Sequence, residues 1–240
     1  MLLALLLGYA LWTVYENTLT TAALDQGPSS NATPSPGNAL SATAARALKA
    51  YGGEAVWRDA TTVESTVTVG GLLFQLKGIN IPPHAKITVD VQRPHTVIDP
   101  VDASGDTGVL DGFTVKILSP SGTILDQRAD AREHLQNASI STKWDRLNLV
   151  YFLGYANLPV HSRIQRFWFD KKTGLLRRND YTPVAASRDA RAAHVIFEHG
   201  VSNGIPYPSK RRVKMSVGQY AWVLPFPDFI TIDVERWQLR

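Results

Sequence analysis

Six histidines are spread along a chain of 240 residues that contains no cysteine. His161 stands beside Ser162 at the start of one strand-like segment, and His194 lies within another. Unperturbed imidazole titrates near neutral pH, so two such groups converging in a concave sheet can act as general acid and base. With Asp170 or Asp180 as an orienting carboxylate, that set would support proton shuffling in an isomerase or cyclase. The plainer reading makes each histidine a hydrogen-bonded sheet residue, and the sequence favours it because convergence is invisible in one dimension. Ser162 lacks a G-x-S-x-G elbow and is a weak candidate nucleophile. His194 and His199 are five residues apart, hence on opposite faces of a strand, and cannot share a metal unless a bulge intervenes; Glu198 shares the face of His194. There is no zinc-protease motif or EF-hand loop, and no metal is expected. Lack of cysteine removes thiol nucleophiles, disulfides, Cys-type zinc sites and iron–sulfur clusters. No Gly-rich loop opens a helix in the dinucleotide or P-loop manner, so no cofactor is expected.

Basic residues form two further candidates. In Arg177-Arg178-Asn179-Asp180-Tyr181 alternate side chains take opposite faces, so one arginine can point inward and grip an anionic head group or ligand carboxylate. The competing reading is a cross-strand ion pair. Lys210, Arg211, Arg212 and Lys214 form the densest basic cluster and again divide between faces. Arg178 and Arg212 are taken as the ligand-facing members. The net charge of +4 permits attraction to anionic lipid or acidic ligands. Acids are interspersed among the bases and no recognisable binding module occurs, so nucleic acid is not an expected partner.

The elements that must position these residues follow from periodicity. A first helix is predicted from Leu40 to Tyr51, capped by Ser41 and stopped by Gly52-Gly53. Two-fold alternation then predicts strands at 62–69, 72–77, 85–91, 95–98 and 113–118, with a polar loop over 102–108. Residues 126–136 read as a charged, helix-competent surface segment. Trp144 to Tyr155 is apolar nearly all round and reads as a buried helix. Its aromatics suit a core better than a ligand box, yet Trp144, Tyr151 and Tyr155, with Phe167 and Tyr181, are the candidate walls of any apolar site. Strands follow at 164–169, 175–182, 192–199, 205–215 and 229–237, with Asn203-Gly204 the strongest hairpin signal. The sum is an α+β fold, a large antiparallel sheet of about nine strands with two or three helices.

Ahead of this domain, Met1 to Tyr15 is apolar throughout. Its length suits a signal-peptide core better than a full span, with small residues at Thr21-Ala22-Ala23 for cleavage. The alternatives are a short membrane anchor with Trp12 and Tyr15 at the interface, or a buried helix. The expected division is residues 1–25 as signal or anchor, 26–39 as a Pro/Ser-rich linker, and 40–240 as one domain. The setting is then extracytoplasmic or membrane-anchored, or cytoplasmic if the N-terminal stretch is no signal. Sequons occur at Asn31-Ala32-Thr33 and Asn137-Ala138-Ser139, and matter only in a glycosylating compartment.

The motifs GYA at 154–156, His161-Ser162, QRFWFD at 165–170, GLLRRNDY at 174–181, AAH at 192–194 and PSKRRV at 208–213 together resemble a family of uncharacterised bacterial and fungal proteins. The order of helix, Gly-Gly, long meander and closing acidic strand resembles the curved half-barrel of LolA-like periplasmic lipoprotein carriers. The first family has a longer segment between the GYA and His-Ser motifs, where this chain has only Asn157-Leu158-Pro159-Val160. The carrier resemblance implies a bent sheet, a half-barrel or open barrel, wrapped around helices with an apolar cavity inside. The implied function is binding of a lipid or other hydrophobic small molecule. The alternatives are a cofactor-free isomerase or cyclase working through His161 and His194, and a scaffold that offers an edge strand to a protein partner.

Overall fold

In a computed structural model the alternating runs pair into one antiparallel sheet. The structure describes residues 41–135, 139, 141–156, 165–183, 186, 190–217 and 222–240. His161, the sequon asparagines Asn31 and Asn137 and the expected boundaries at residues 25 and 39 lie outside them, as does the apolar N-terminal stretch.

The first meander is β1 (Thr62–Gly70), β2 (Ala85–Asp90), β3 (His95–Asp99), β4 (Thr107–Asp111), β5 (Thr114–Leu118) and β6 (Ile124–Arg128). The second is β7 (Arg166–Phe169), β8 (Leu176–Tyr181), β9 (Ala192–Ser202) and β10 (Ile205–Val217), with the short β11 (Trp222–Val223) folded back on β10. The closing strand β12 (Ile230–Leu239) inserts between β1 and β10. The spatial order is therefore β6-β5-β4-β3-β2-β1-β12-β10-β9-β8-β7, and the sheet does not close on itself. Five helices accompany it among the described residues: α1 (Ala42–Ala50), α2 (Glu54–Asp59), α3 (Leu72–Lys77), α4 (Ala131–Leu135) and α5 (Arg146–Ala156). None is long and apolar enough to cross a membrane.

The sheet has twelve strands where about nine were expected, and the differences have local causes. Strand β4 begins inside the loop expected over 102–108, because its inward position 108 is a glycine, which hides the apolar alternation. A Cβ there would lie 2.5 Å from Val150 Cγ2, so the buried helix excludes any side chain. Strand β6 is an edge strand whose Ile124 and Leu125 are exposed; it takes up residues 126–128 of the expected surface helix, which forms only at 131–135. Segment 72–77 is the helix α3, not a strand. Leu73, Phe74 and Lys77 are buried at helical spacing, Leu73 N–H donates to the Phe229 carbonyl at 2.9 Å, and Gly78 ends the helix in the left-handed conformation. A six-residue segment with four apolar side chains cannot be assigned by period alone.

Helix α1 starts where expected, with Ser41 Oγ accepting from Ala44 N–H at 3.2 Å. Helix α5 is buried on every side, with Leu149, Val150, Tyr151 and Tyr155 nearly inaccessible, and packs on β3, β4, β5 and β6. Asp145 caps it through Asn148 N–H at 2.8 Å, Tyr155 Oη donates to the Gly112 carbonyl at 2.9 Å, and Gly154 lets Leu110 approach.

The sheet is curled, and the register shows how. Arg177 on β8, Phe197 on β9, Ser209 on β10 and Glu235 on β12 are each an extra residue against the partner strand. Bulges bend a strand and increase its twist, and these four sit on neighbouring strands, forming a line of bending across the sheet. They also reset the alternation, so Leu176 joins the face of Asn179 and Pro208 joins that of Arg211.

Replacing Gly108 with alanine is expected to lower stability by about 1–3 kcal/mol through overpacking. A shift of the urea midpoint without change in slope checks this.

Candidate functional site

The concave face encloses a cavity of about 370 Å³. Its lining draws on every strand from β2 to β7 in spatial order: Ile87, Val67 and Val69, Ile230 and Ile232, Val213, Ile196, Tyr181, and Phe167. Seven neighbouring strands laid flat would span about 29 Å at ~4.8 Å spacing. Contact with one small cavity requires the curl. Phe152, Leu153 and Tyr155 of α5 form the wall across from the sheet. A second, strongly apolar chamber of about 320 Å³ adjoins it, and the two share Phe152, Tyr181, Pro183, Val213 and Ile230.

Against these walls stand a few polar groups: Arg211, His194, Asn179, Tyr181 and Gln165. Asn179 Nδ2 donates to Gln165 Oε1 at 3.2 Å. Arg211 Nε, His194 Nε2 and Asn179 Oδ1 are sealed from solvent and have no hydrogen-bond partner, an expensive arrangement for buried polar atoms. Burial pushes the Tyr181 phenol up to about 12. Burial also lowers the Arg211 guanidinium to about 10, where it remains charged at neutral pH. Desolvation, reinforced by the Arg211 charge, drops His194 to about 3, so its imidazole is neutral. No Asp or Glu occurs among the described lining of either chamber.

Of the residues singled out in the sequence, Tyr155, Phe167, Tyr181 and His194 line the cavity. Trp144 and Tyr151 do not. Trp144 packs against Phe74 and Phe152 with Lys77 Nζ 5.1 Å from its ring centre. Tyr151 is buried against Tyr155, at a ring separation of 4.6 Å. Arg178 takes the opposite face of β8 from Asn179. Its Nε donates to Asp180 Oδ1, whose other oxygen accepts from Trp168 Nε1 at 2.9 Å. Arg212 is held by Asp233 at 2.8 Å. Asp170 accepts the backbone N–H groups of Lys172 and Thr173 at 2.9 and 2.8 Å, forming the β7–β8 turn. Thus neither candidate carboxylate stands beside His194. The Phe197 bulge does intervene between His194 and His199, but His199 is engaged with Tyr51 Oη at 3.4 Å. No group of three metal-ligating side chains occurs among the described residues.

Arg211, Asn179 and Gln165 are the polar site residues that sequence reasoning missed. A signal existed: Arg211 shares its alternation with Val213 and Met215, the apolar row of β10, whereas Arg212 alternates with Lys210 and Lys214. Asn179 is the direct cross-strand partner of His194.

No family model matches the sequence, and no curated protein matches it. Solved structures do. A LolA superfamily protein from Nitrosomonas europaea aligns at 9% identity over 76% of this chain and 86% of that one, with a TM-score of 0.39. A DUF1329 family protein from Desulfovibrio piger aligns at 12% identity over 81% and 90%, with a TM-score of 0.42. LprF from Mycobacterium bovis aligns at 12% identity over 83% and 95%, with a TM-score of 0.31.

The His194 environment has a pH consequence. The unfolded chain takes up this proton near the ordinary value of 6.5, and the folded chain only near 3, so the unfolded state binds more protons between them. Stability is expected to be full above about 6.5 and to fall as pH drops toward 3. A His194→Asn variant should show a shallower acid loss in denaturation curves measured from pH 7 to pH 4. NMR titration should find the wild-type imidazole neutral at pH 5.

Proposed function

We propose that this protein binds a lipid or other hydrophobic small molecule in the concavity of its sheet. The observation that carries this reading is the pair of adjoining apolar chambers walled by the curled sheet and α5. Their size falls in the range of small-molecule sites. Burial stabilises a ligand by about 0.8 kcal/mol per methylene, while association costs about 4–15 kcal/mol. A chain of about ten methylenes therefore roughly offsets that cost, and a ligand long enough to occupy both chambers gains a net surplus. The apolar Met1–Tyr15 stretch supports an extracytoplasmic or membrane-anchored setting, where such a ligand would be met.

His194 in the cavity wall is the observation that favours the second reading, a cofactor-free isomerase or cyclase. An imidazole held neutral with its affinity for protons lowered to about 3 is a weak base and carries no proton to give near pH 7. Its position therefore supports a hydrogen-bonding role toward a ligand more than proton transfer.

The test uses a neutral apolar fluorophore, N-phenyl-1-naphthylamine. Wild-type protein is expected to enhance its emission saturably. Ile196→Trp, which fills the cavity from β9, should weaken binding at least tenfold while leaving the circular dichroism spectrum unchanged. Absence of saturable enhancement by the wild-type protein would remove the proposal.

A further inference from the structure

Resting on the ligand-binding reading, we infer that the cavity selects anionic amphiphiles, with a carboxylate or phosphate monoester head held by Arg211 and an aliphatic body in the apolar chambers.

The basic cluster of β10 supplies the contrast. Lys210 pairs with Glu198 at 3.1 Å, Arg212 with Asp233 at 2.8 Å and Lys214 with Asp228 at 2.7 Å. Arg211, in their midst, points inward and has no carboxylate partner among the described residues. Its two ladder neighbours are Ile196 on β9 and Ile232 on β12, so no acid stands opposite it on either side. Its Nε is sealed from solvent without a hydrogen-bond partner. A guanidinium that faces an apolar cavity with its Nε sealed and no counter-charge beside it carries a desolvation cost, and perturbed ionisable groups cluster at functional sites.

The surroundings define the ligand's head. A guanidinium presents a planar fork of donors that matches the two oxygens of a carboxylate or of a phosphate. Tyr181 remains a protonated phenol and can donate. The neutral His194, cross-strand partner of Asn179, has its Nε2 unengaged in the same wall and donates from it in the Nε2–H tautomer. The lining offers an anion several donors and, among the described residues, no carboxylate to repel it. Beyond this polar patch, both chambers are predominantly apolar and admit a hydrocarbon body.

The experiment is displacement of N-phenyl-1-naphthylamine by three ligands of equal chain length: hexadecanoate, hexadecyl phosphate and hexadecan-1-ol. Wild-type protein should bind at least one of the two anions tenfold or more tightly than the alcohol. Which anion wins distinguishes a carboxylate from a phosphate head, and either supports the inference. Arg211→Gln should bring the preferred anion to within about threefold of the alcohol while alcohol binding stays unchanged. Equal displacement by alcohol and anions on the wild-type protein, or survival of the preference in Arg211→Gln, overturns the inference and leaves hydrophobic binding intact. Failure of the neutral fluorophore to bind wild-type protein overturns both. A second measurement guards against a variant that merely misfolds. Arg211→Met should raise the thermal midpoint of the ligand-free protein, because it removes a charge that faces the apolar cavity with a sealed, unpartnered Nε, whereas a lowered midpoint would show that Arg211 is a structural residue.

Discussion

Strand β12 holds the two halves of the molecule in one surface. Its backbone pairs with β1 from Val63–Leu239 to Gly70–Thr231, and with β10 through Asp233, Ile232, Thr231 and Ile230. The meander β1–β6 and the meander β7–β10 have no other strand in common. Backbone N–H and C=O groups are obligatory hydrogen-bonding partners, so removing β12 would leave two unpaired central edges and no continuous concave face. The segment just before β12 also seats α3, whose first N–H groups donate to the Asp228 and Phe229 carbonyls at 3.2 and 2.9 Å. Gly71 is required at that approach, since a Cβ would lie 2.6 Å from the Phe229 carbonyl oxygen.

Once the sheet is continuous, helix placement decides where it is filled. Helix α5 packs on β3 to β6 and makes that half a close-packed core. Over β8, β9, β10 and β12 the line of bulges bends the sheet toward the same helix without bringing it into full contact, and the unfilled space is the cavity. One end of the second half is tied down by α1, where Tyr51 Oη accepts from Leu176 N–H at 3.1 Å and Gly174 lies against the Arg46 carbonyl. Stability and binding capacity are thus divided between the two halves: one side is a filled core, the other keeps apolar surface and unpaired polar atoms in reserve. Such local conflict with ordinary packing rules is what a ligand site looks like.

Much of the fold was legible because sheet periodicity is local. The runs at 85–91 and 229–237 alternate cleanly, and Asn203-Gly204 marks its hairpin with a positive-φ pair. The misreadings share a cause: the informative side chain was absent or its partner was distant. Gly108 hides β4 because Val150, forty-two residues away in sequence, occupies its place. Ile124 and Leu125 sit on an edge that no core pattern marks. In α3 six residues are too few to display a period. Of the site, the aromatics Tyr155, Phe167 and Tyr181 were reached by composition and His194 by motif. Arg178 and Arg212 were reached by the same route and lie elsewhere.

The two arginines of 211–212 separate what belongs to each level. The sequence by itself determined that one of them faces inward, because successive side chains on a strand take opposite sides. It also determined that the chain makes an antiparallel meander, with a buried apolar helix within 144–155. Only the tertiary structure decided which arginine enters the cavity and that, among the described residues, no carboxylate meets it. That outcome depends on bulges at Phe197, Ser209 and Glu235, which set the phase of β9, β10 and β12 against one another, and on the curl that joins β2 and β7 around one space. Register and curvature are properties of strands paired across the whole chain, and a local pattern carries neither.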